Sequence, residues 1–359
     1  MPYISRPATT FPAHKITTAE IIDDILAHHP DHPKARAIPR YLGNVGVETR
    51  YFTRPLTAPT VSGAASIEER SNAAFADALQ MATIAAQRTL TDHGLAPGPA
   101  PGAFADIDAI ITTHSTGWAV PNLDIHLIGI LGLRPTVSRI ALTTMACAGG
   151  TQALTRAVDF VTARPGTKVL VVAAEVISSV YNHHDTSVEA MIYKGLFGDS
   201  AAACVVTSEP LGGPAFHIAG PADTLEYVLP GSLDRYSGRI GVDGFHFDST
   251  KEALSAADDV LPTVLDWIGP HQPIDWAAIH PGSPRIITDT ARALGLDDHD
   301  ARHSTDTLAH EGNLGGVSIL RVLERTHDDP PEHGAHGLAI AYGPGFNTAA
   351  IRGTWHNPA

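Results

Sequence analysis

Cysteine is scarce in this chain, with two residues, Cys147 and Cys204, among 359. Two cysteines are too few for a disulfide framework and are consistent with a reducing compartment. No apolar run approaches the roughly 20 residues that a membrane-spanning helix needs. The first residues also lack the basic and apolar regions of a signal peptide. We therefore expect a soluble, cytoplasmic protein that does not enter a membrane.

Basic residues are also few. The chain has 24 Lys and Arg against 38 Asp and Glu, for a formal net charge of −14. Binding to nucleic acid requires a basic face, so this balance argues against a nucleic-acid partner. Hydrophobic residues make up 43% of the chain, which is enough for a large core. The length suggests two domains or one doubled fold.

Short unbroken apolar runs alternate with amphipathic segments along most of the chain. Such runs are typical of strands buried on both faces of a sheet, and the alternation predicts an α/β fold with helices covering the sheets. Strands are expected at residues 109–113, 140–145, 169–174, 201–207, 277–280 and 338–342, and helices at 66–88, 151–162 and 251–267, from Arg285 and after Asn313. Residues 1 to about 60 predict irregular structure. A weak similarity between the two halves hints at a duplicated unit, with a Pro/Gly-rich join at 209–214.

Cys147 lies where an apolar strand gives way to an amphipathic helix, in the run Met-Ala-Cys-Ala-Gly-Gly-Thr. A thiol at a helix N-terminus is expected to favour the nucleophilic thiolate. Gly149 and Gly150 would let a substrate carbonyl approach the backbone closely. This context indicates a nucleophile elbow rather than a buried structural cysteine. Cys204, inside an apolar strand, is expected to fill the core.

Two downstream residues are candidate partners for the thiol. His280 ends the strand Trp-Ala-Ala-Ile, at a strand terminus where active sites of α/β proteins collect. Asn313 stands between glycines just before a helix. Taken singly, His280 could equally be structural, and Asn313 could be a helix N-cap.

Together these residues form a more specific pattern. Cys-Ala-Gly-Gly, Leu-Phe-Gly-Asp, His-Pro-Gly, Gly-Asn and Gly-Pro-Gly-Phe follow one another in that order. From roughly Ile38 onward the chain resembles the thiolase superfamily, and within it the type III polyketide synthases related to chalcone and stilbene synthases. The resemblance implies a thiolase-like duplicated αβαβα layered fold, with two mixed sheets and helices between and outside them. Residues 1–210 would form the half with the nucleophile, and 211–359 the half with His280 and Asn313.

The resemblance also implies the chemistry. Cys147 would accept an acyl group from coenzyme A, and His280 and Asn313 would donate hydrogen bonds to the malonyl-CoA thioester as carbon dioxide leaves. Coenzyme A thioesters are substrates, and no cofactor is implied. Phe197 and Phe245 match two aromatic gatekeepers, with plain core packing as their alternative interpretation. A homodimer is implied, with Val120 in a loop that reaches the partner's cavity.

Several pocket positions follow from the same resemblance. Tyr193 and Tyr236 stand where plant relatives have glycine, Val180 stands at a pocket threonine, and Ser115 stands where a threonine steers cyclisation. Gly315 and Pro344 would also line the pocket. If both tyrosines point inward they remove much of the cavity, which predicts a short product such as a diketide or triketide pyrone. The alternative is a shifted backbone that opens another tunnel for long acyl chains.

Cations for coenzyme A are weakly represented. Arg40 matches a phosphate-contacting arginine of the family, while Ala37 and Asn44 replace its neighbouring lysines. Arg285, Lys34 and Arg36 could compensate, although each is by default a solvated surface charge.

The 20 histidines invite a metal hypothesis. One cluster comprises His28, His29 and His32, and a second comprises His183, His184 and Asp185. Neither has the spacing of a ligand pair on a helix followed by a third ligand, so no metal site is expected.

Three other functions share these residue types. A ketoacyl synthase III-like condensing enzyme or acyltransferase would also use Cys, His and Asn, but with an acyl carrier protein as partner. Papain-like hydrolases have a similar triad. A non-catalytic chaperone-like homologue should have lost a triad residue, whereas this chain has all three.

Overall fold

The computed structural model describes residues 1–242, 244–270 and 272–357. Its strands are β1 (Tyr3–Ile4), β2 (Ala8–Thr10), β3 (His14–Thr17), β4 (Thr49–Phe52), β5 (Ala109–His114), β6 (Ser138–Thr143), β7 (Lys168–Glu175), β8 (Ser200–Thr207), β9 (Ala215–His217), β10 (Thr224–Val228), β11 (Tyr236–Gly241), β12 (Gly244–Ser249), β13 (Trp276–Ile279), β14 (His336–Gly343) and β15 (Asn347–His356).

The helices are α1 (Thr18–His28), α2 (Ile38–Gly43), α3 (Pro59–Ser62), α4 (Ile67–Asp92), α5 (Leu123–Ile130), α6 (Gly149–Ala163), α7 (Val188–Leu196), α8 (Ala256–Ile268), α9 (Pro284–Ala293), α10 (Arg302–Glu311) and α11 (Ser318–Asp328). The strands and helices expected from the apolar periodicity are all present, with ends that differ by a few residues. None of the described helices combines the length and the apolarity that crossing a membrane requires.

The two halves of the chain each contribute a mixed sheet. In one half β6, β5, β7 and β8 lie side by side, and in the other half β13, β14 and β15 do so. The pairs β5–β6, β5–β7 and β13–β14 are parallel, whereas β7–β8 and β14–β15 are antiparallel. The short strands β1 and β9 join the two sheets edge to edge, so the hydrogen bonding continues from one half into the other.

Helices lie between and outside the sheets. The core between them includes Leu154 and Val158 of α6 and Leu320 and Leu323 of α11, packed on residues of both sheets. α4 and α5 cover the outer face of the first sheet, and α8, α9 and α10 cover that of the second. The layered αβαβα arrangement is therefore confirmed. The boundary between residues 210 and 211 stays a prediction.

The first 60 residues differ from the irregular structure that was predicted. They contain β1 to β4 and helices α1, α2 and α3. α1 begins at a capping box in which Thr17 accepts from the Glu20 N–H and the Glu20 side chain accepts from the Thr17 N–H. The sequence Thr-Thr-Ala-Glu carries that signal, so the helix could have been predicted.

Arg50 fixes this N-terminal segment to the rest of the molecule. Its guanidinium is fully buried and donates to the carbonyl oxygen of Gly195 and to Thr18 Oγ1. The contact ties α1 and β4 to the end of α7, the helix that leads to Phe197. The N-terminal segment is thus part of the framework around the site.

Candidate active site

Cys147 lies in a strained turn between β6 and α6. Thr144 and Ala146 have positive φ angles of 58° and 48°, a region that costs a non-glycine residue about 1–3 kcal/mol. One 3₁₀ turn, Ala146–Ala148, carries the cysteine and runs directly into α6. The Ala146 N–H donates to Ser115 Oγ at 2.7 Å, which fixes the turn to the end of β5. The predicted nucleophile elbow is therefore present.

The glycines after Cys147 serve packing within the protein. A Cβ atom on Gly149 would crowd Thr113 Oγ1, and one on Gly150 would collide with the carbonyl oxygen of Gly316. Protein atoms already fill the space that a side chain on either glycine would need, so the approach of a substrate carbonyl to this backbone stays a prediction. Gly149 permits close contact with Thr113 of β5, and Gly150 permits close contact with the turn that follows Asn313.

Asn313 is held at the site by its backbone and by its own side chain. Its N–H donates to Leu196 O at 2.9 Å and its carbonyl accepts from Gly198 N at 3.1 Å. Its Oδ1 accepts from Gly315 N at 2.9 Å, so the Nδ2 amide remains as the donor. The Asn313 side chain lies close enough to Cys147 to lower the pKa of its thiol. α11 begins only at Ser318, so the helix N-cap interpretation of Asn313 is wrong.

His280 directly follows β13, as predicted. Its N–H donates to Ile340 O at 2.8 Å, which anchors the residue to β14. The ring is buried, and its Nδ1 has no hydrogen-bond partner among the described residues. The imidazole therefore lacks the carboxylate that orients the histidine of a Ser-His-Asp triad.

Burial dominates the electrostatics of Cys147 and His280. It raises the pKa of the Cys147 thiol to about 12, with a further rise from the nearby Glu175 charge, and the Asn313 hydrogen bond opposes this shift. Burial lowers the pKa of His280 to about 3. The prediction that the helix N-terminus favours a thiolate stays a prediction. Burial of Cys147 opposes the thiolate, and α6 begins two residues after it.

Two cavities meet at Cys147. The entrance chamber, about 460 Å³, is lined by Tyr41, Asn44, Arg285, Cys147, His280 and Asn313 among others. The inner chamber, about 570 Å³, is lined by Cys147, Ser115, Glu175, Val180, Gly315 and Pro344 among others. In the entrance chamber Asn44 and Arg285 are exposed and the three candidate catalytic residues are buried. The entrance chamber therefore leads from the surface to the thiol.

An aromatic cluster lies between the two chambers. Phe197 stacks on Tyr193 with ring centroids 5.7 Å apart, and Phe247 lies 5.6 Å from Phe197 and 5.7 Å from Tyr236. Tyr236 lines both chambers, Tyr193 lines only the entrance chamber, and Phe197 lines only the inner one. Both tyrosines point inward, yet the inner chamber keeps about 570 Å³. The two tyrosines therefore do not close the inner chamber, and the inference that they remove much of its volume stays a prediction.

The predicted gatekeepers differ in their surroundings. Phe197 belongs to the aromatic cluster, and its backbone pairs with Asn313. Phe245 lies on β12 and lines the inner chamber, but Phe247, two residues further on, is the residue of this strand that contacts the cluster. Sequence reasoning missed Phe247, although alternation along Gly-Phe-His-Phe places both rings on one face of the strand.

Glu175 is a second residue that sequence reasoning left without a role. It ends β7 fully buried, and its Oε2 accepts from Ser115 N at 3.1 Å and from Thr116 Oγ1 at 3.3 Å. Burial raises the pKa of this carboxyl group, while His114 and the hydrogen bonds oppose the rise. In the sequence, Glu175 directly follows the apolar run Val-Leu-Val-Val-Ala-Ala. An acidic residue at the end of a buried strand is unusual, and this could have marked Glu175 as a candidate site residue.

Of the two arginines predicted to bind coenzyme A, Arg285 lines the entrance chamber and Arg40 does not. Arg285, on α9, lines the entrance chamber and forms ion pairs with Asp289 at 2.9 Å and Asp258 at 3.3 Å. Arg40 is exposed on α2 and packs over the ring of Tyr41, which lines the same chamber. Cys204 is fully buried in β8, so its predicted core role is confirmed.

Comparison with known proteins identifies the family. The sequence model for the chalcone and stilbene synthase N-terminal domain matches residues 48–210. The chain is 31% identical to 1,3,6,8-tetrahydroxynaphthalene synthase of Streptomyces coelicolor, over 99% of this chain and 92% of that protein. The chain belongs to the chalcone and stilbene synthase family. It is also 30% identical to phloroglucinol synthase of Pseudomonas fluorescens, over 97% of this chain and 98% of that one.

Structure comparison agrees. The crystal structure of the Streptomyces coelicolor tetrahydroxynaphthalene synthase, described as a bacterial type III polyketide synthase, matches with a TM-score of 0.90 at 31% identity. The match covers 99% of this chain and 100% of that one. The present chain is thus a type III polyketide synthase, an acyltransferase that condenses malonyl-CoA with loss of carbon dioxide. The comparisons favour this function over the ketoacyl synthase III-like alternative.

Replacement of His280 tests whether the imidazole activates the buried thiol. Because burial raises the pKa of Cys147 to about 12, little thiolate forms at pH 7 unless a neighbouring base accepts the proton. We expect H280Q to slow the alkylation of Cys147 by iodoacetamide at pH 7 by about 10²-fold, the scale of a positioned base. The rise of the rate with pH should also move to higher pH.

The matched control is H327Q, because His327 is also buried, with its pKa lowered to about 3, but lines neither chamber. C204A should leave the labelling stoichiometry unchanged. Equal alkylation rates in H280Q, H327Q and the unmodified chain would show that His280 does not act on the thiol.

Proposed function

We propose that this polyketide synthase loads an acyl group from coenzyme A onto Cys147 and extends it there with malonyl-CoA. The observation that carries the proposal is the meeting of Cys147, His280 and Asn313, from three separate segments, in one chamber that opens beside Arg285. No other cysteine is accessible to such a chamber among the described residues, since Cys204 lies in the core.

In the loading step Cys147 Sγ attacks the thioester carbonyl of an acyl-CoA. The new C–S bond forms as the bond to the coenzyme A sulfur breaks. His280 accepts the thiol proton and passes it to the leaving coenzyme A thiolate. Transfer within the pair leaves the net charge of the site unchanged, so it avoids burying one isolated ion.

In the extension step malonyl-CoA occupies the entrance chamber. Its terminal C–C bond breaks, carbon dioxide leaves, and the electron pair becomes an enolate of the thioester. A ring N–H of His280 and Asn313 Nδ2 donate hydrogen bonds to the enolate oxygen. Each donor of this type contributes about 10²–10³-fold to the rate in comparable oxyanion sites. The enolate carbon then attacks the carbonyl carbon of the Cys147 thioester, and the C–S bond to Cys147 breaks. The extended chain is now a coenzyme A thioester, and the Cys147 thiolate either takes a proton from solvent or attacks that thioester to reload the chain for another extension.

Glu175 belongs to a polar part of the inner chamber, whose lining also includes Thr116, Arg239 and His246. Its carboxyl group, held by Ser115 and Thr116, faces the same chamber as Cys147 and lies against Gly315. Because burial raises its pKa, this group takes up a proton more readily than a free carboxyl group, and in the protonated form it can donate to a ketone oxygen of the bound chain. We assign Glu175 to the handling of the extended intermediate rather than to loading.

The aromatic cluster favours a short product because it narrows the passage between the two chambers, not because it reduces the volume of the inner chamber. Tyr236 lines both chambers, so a growing chain attached to Cys147 must pass its ring. Phe247 stacks on that ring at 19°, which holds it in place. A rigid partition of this kind favours release or cyclisation after few extensions.

Mass spectrometry of products tests this function. The chain is supplied with malonyl-CoA and short, aromatic or long acyl-CoA starters, with C147A as the inactive control. We expect diketide or triketide pyrones from the unmodified protein and longer products from Y236G, because the glycine removes the ring between the chambers.

Y342F is the matched variant, since Tyr342 lines only the entrance chamber and is hydrogen-bonded to Thr290. It should give the unmodified product pattern. Long products from the unmodified chain would contradict the role of the partition, and products that persist in C147A would contradict the role of the thiol. Activity only with carrier-bound malonate would reinstate the carrier-protein alternative.

Coenzyme A recognition is assigned to Arg285 and Arg40 at the surface end of the entrance chamber. Phosphate groups bind best to cations, and hydrogen bonds to charged groups contribute about 1.5 kcal/mol or more. Arg285 must share its charge with Asp258 and Asp289, so its contribution is smaller than that of an unpaired arginine.

Kinetics of R285Q and R292Q separate a binding role from a general charge effect. Both arginines lie on α9 and contact Asp289 at 2.9 Å, but only Arg285 lines the chamber. We expect R285Q to raise the KM for malonyl-CoA up to about tenfold with little change in kcat. R292Q should leave both constants unchanged, and an equal rise of KM in the two variants would exclude a specific contact.

A homodimer is proposed from the exposed edge of the first sheet. β6 is the last strand of that sheet, and most of its residues are exposed. Trp118 and Val120 are 76% and 79% exposed. An unpaired strand and large apolar side chains are features that proteins normally cover.

Sedimentation velocity tests the dimer. We expect the unmodified chain to sediment as a dimer and the double variant W118R/V120D to sediment as a monomer. V242D is the control, because Val242 is a fully exposed apolar residue that follows β11 and is not part of the exposed edge of the first sheet. A monomeric unmodified chain would rule out the proposal.

A further inference from the structure

The two histidine clusters of the sequence meet in the fold. α1 carries Asp24 and His28 one helical turn apart, and the segment that follows β7 brings His183 against them. One potential ligand atom from each of these three residues lies within 4.8 Å of the others. Each cluster taken alone lacked a third ligand, and the fold supplies it from 155 residues along the chain.

From this arrangement we propose that Asp24, His28 and His183 form a binding site for a divalent transition metal of the zinc class. Two imidazoles and one carboxylate are a donor set that suits Zn²⁺, which accepts nitrogen and oxygen ligands. Water or His29, whose ring centroid lies 5.5 Å from that of His183, would complete the coordination. The proposal is independent of the reaction at Cys147.

The carboxylate is already oriented by neighbours. Asp24 Oδ2 accepts from the hydroxyl group of Tyr181 and lies 3.0 Å from His183 Nε2. An aspartate carboxylate is ordinarily ionised at neutral pH, as a metal ligand must be. Tyr181 would not bind the metal itself but would orient its ligand Asp24 through this hydrogen bond.

The imidazoles have nitrogen atoms to offer. Nδ1 of His28 donates to the Asp24 carbonyl oxygen at 2.8 Å, so Nε2 carries the lone pair of the neutral ring. The side chain of His183 is 10% exposed, and neither of its two buried ring nitrogens has a hydrogen-bond partner among the described residues, although Nε2 lies 3.0 Å from Asp24 Oδ2. A buried nitrogen without a partner is unfavourable, and ligation is one way to satisfy it.

His28 is the ligand that can reorient to bind the metal ion and that gives the ion access from solvent. Its ring stacks on that of His183 at 3.6 Å between centroids and 13° between planes. Nearly parallel rings cannot both direct a lone pair at one ion, so one ring must turn. The side chain of His28 is 48% exposed, and rotation toward solvent costs it little packing. Lys194, whose ammonium lies over the Tyr181 ring, is the nearby charge that opposes a cation.

Another helix of this chain offers a matched control. On α10, Asp306 and His310 have the same spacing, and Nδ1 of His310 lies 3.0 Å from the Asp306 carbonyl oxygen. Among the residues that the structure describes, no third His, Cys, Asp or Glu completes a ligand group there. The pair reproduces the helical half of the site without His183.

Zinc binding to the full chain, free of any added histidine tag and stripped with a chelator, tests the proposal. Titration with ZnCl₂ by calorimetry and metal analysis after dialysis are expected to give one Zn²⁺ per chain. H183Q and H28Q should weaken binding at least tenfold, Y181F about tenfold, and H310Q not at all. Zn²⁺ should raise the midpoint of thermal unfolding in the unmodified chain and in H310Q, but not in H28Q.

H28Q keeps the test valid if H183Q fails to fold, because nearly half of the His28 side chain is exposed. The absence of zinc binding by the unmodified chain would overturn the proposal. So would equal affinities of H28Q and the unmodified chain, or an equal loss in H310Q, which would indicate scattered surface histidines instead.

Discussion

The contact between the start of α6 and the turn after Asn313 is the constraint on which the site depends. Cys147 comes from one half of the chain and Asn313 from the other, and they meet because Gly150 has no side chain where the Gly316 carbonyl oxygen lies. The same turn is bonded to the end of α7 through Leu196 and Gly198. Nucleophile, amide donor and the aromatic ring that follows Leu196 are thereby fixed to one another, and none can move without the others.

Within that framework Cys147, His280 and Asn313 are buried at the inner end of a chamber that opens to the surface. Burial shifts Cys147, His280 and Glu175 toward their neutral forms, each for the same reason, which is the loss of solvation of the charged form. A neutral site suits a reaction in which charge appears briefly on an enolate oxygen. Donors that are already in place need no reorganisation when that charge forms, and a low-dielectric surrounding strengthens their effect. The raised pKa of the thiol is the cost of this arrangement, since the nucleophile must be activated by proton transfer within the site.

Much of the fold and the triad could be predicted from the sequence, because both depend on local patterns. Apolar runs marked the strands, and ordered glycine motifs around Cys147, His280 and Asn313 marked the loops that converge. What the sequence could not show were distances across the fold. The volume left beside Tyr236 depends on backbone positions, and so does the meeting of Asp24 with a histidine more than 150 residues away. The depth to which Cys147 is buried, which opposes the thiolate, is likewise a property of the folded chain.

The aromatic cluster lies between the chamber proposed for malonyl-CoA and the chamber proposed for the growing chain. In the proposed reaction, malonyl-CoA lies in the entrance chamber next to His280 and Asn313, whereas the growing chain must lie elsewhere while it is attached to the sulfur of Cys147. Cys147 and Tyr236 line both chambers, so a thioester on Cys147 would lie at the passage, and its acyl chain would extend into the inner chamber while the next extender binds. The position of the partition is set by α7 and the β11–β12 hairpin, which carry Phe197 and Phe247 and which lie outside the triad's loops. Substitutions in these two elements can therefore change the size of the product without altering the donors that drive each condensation.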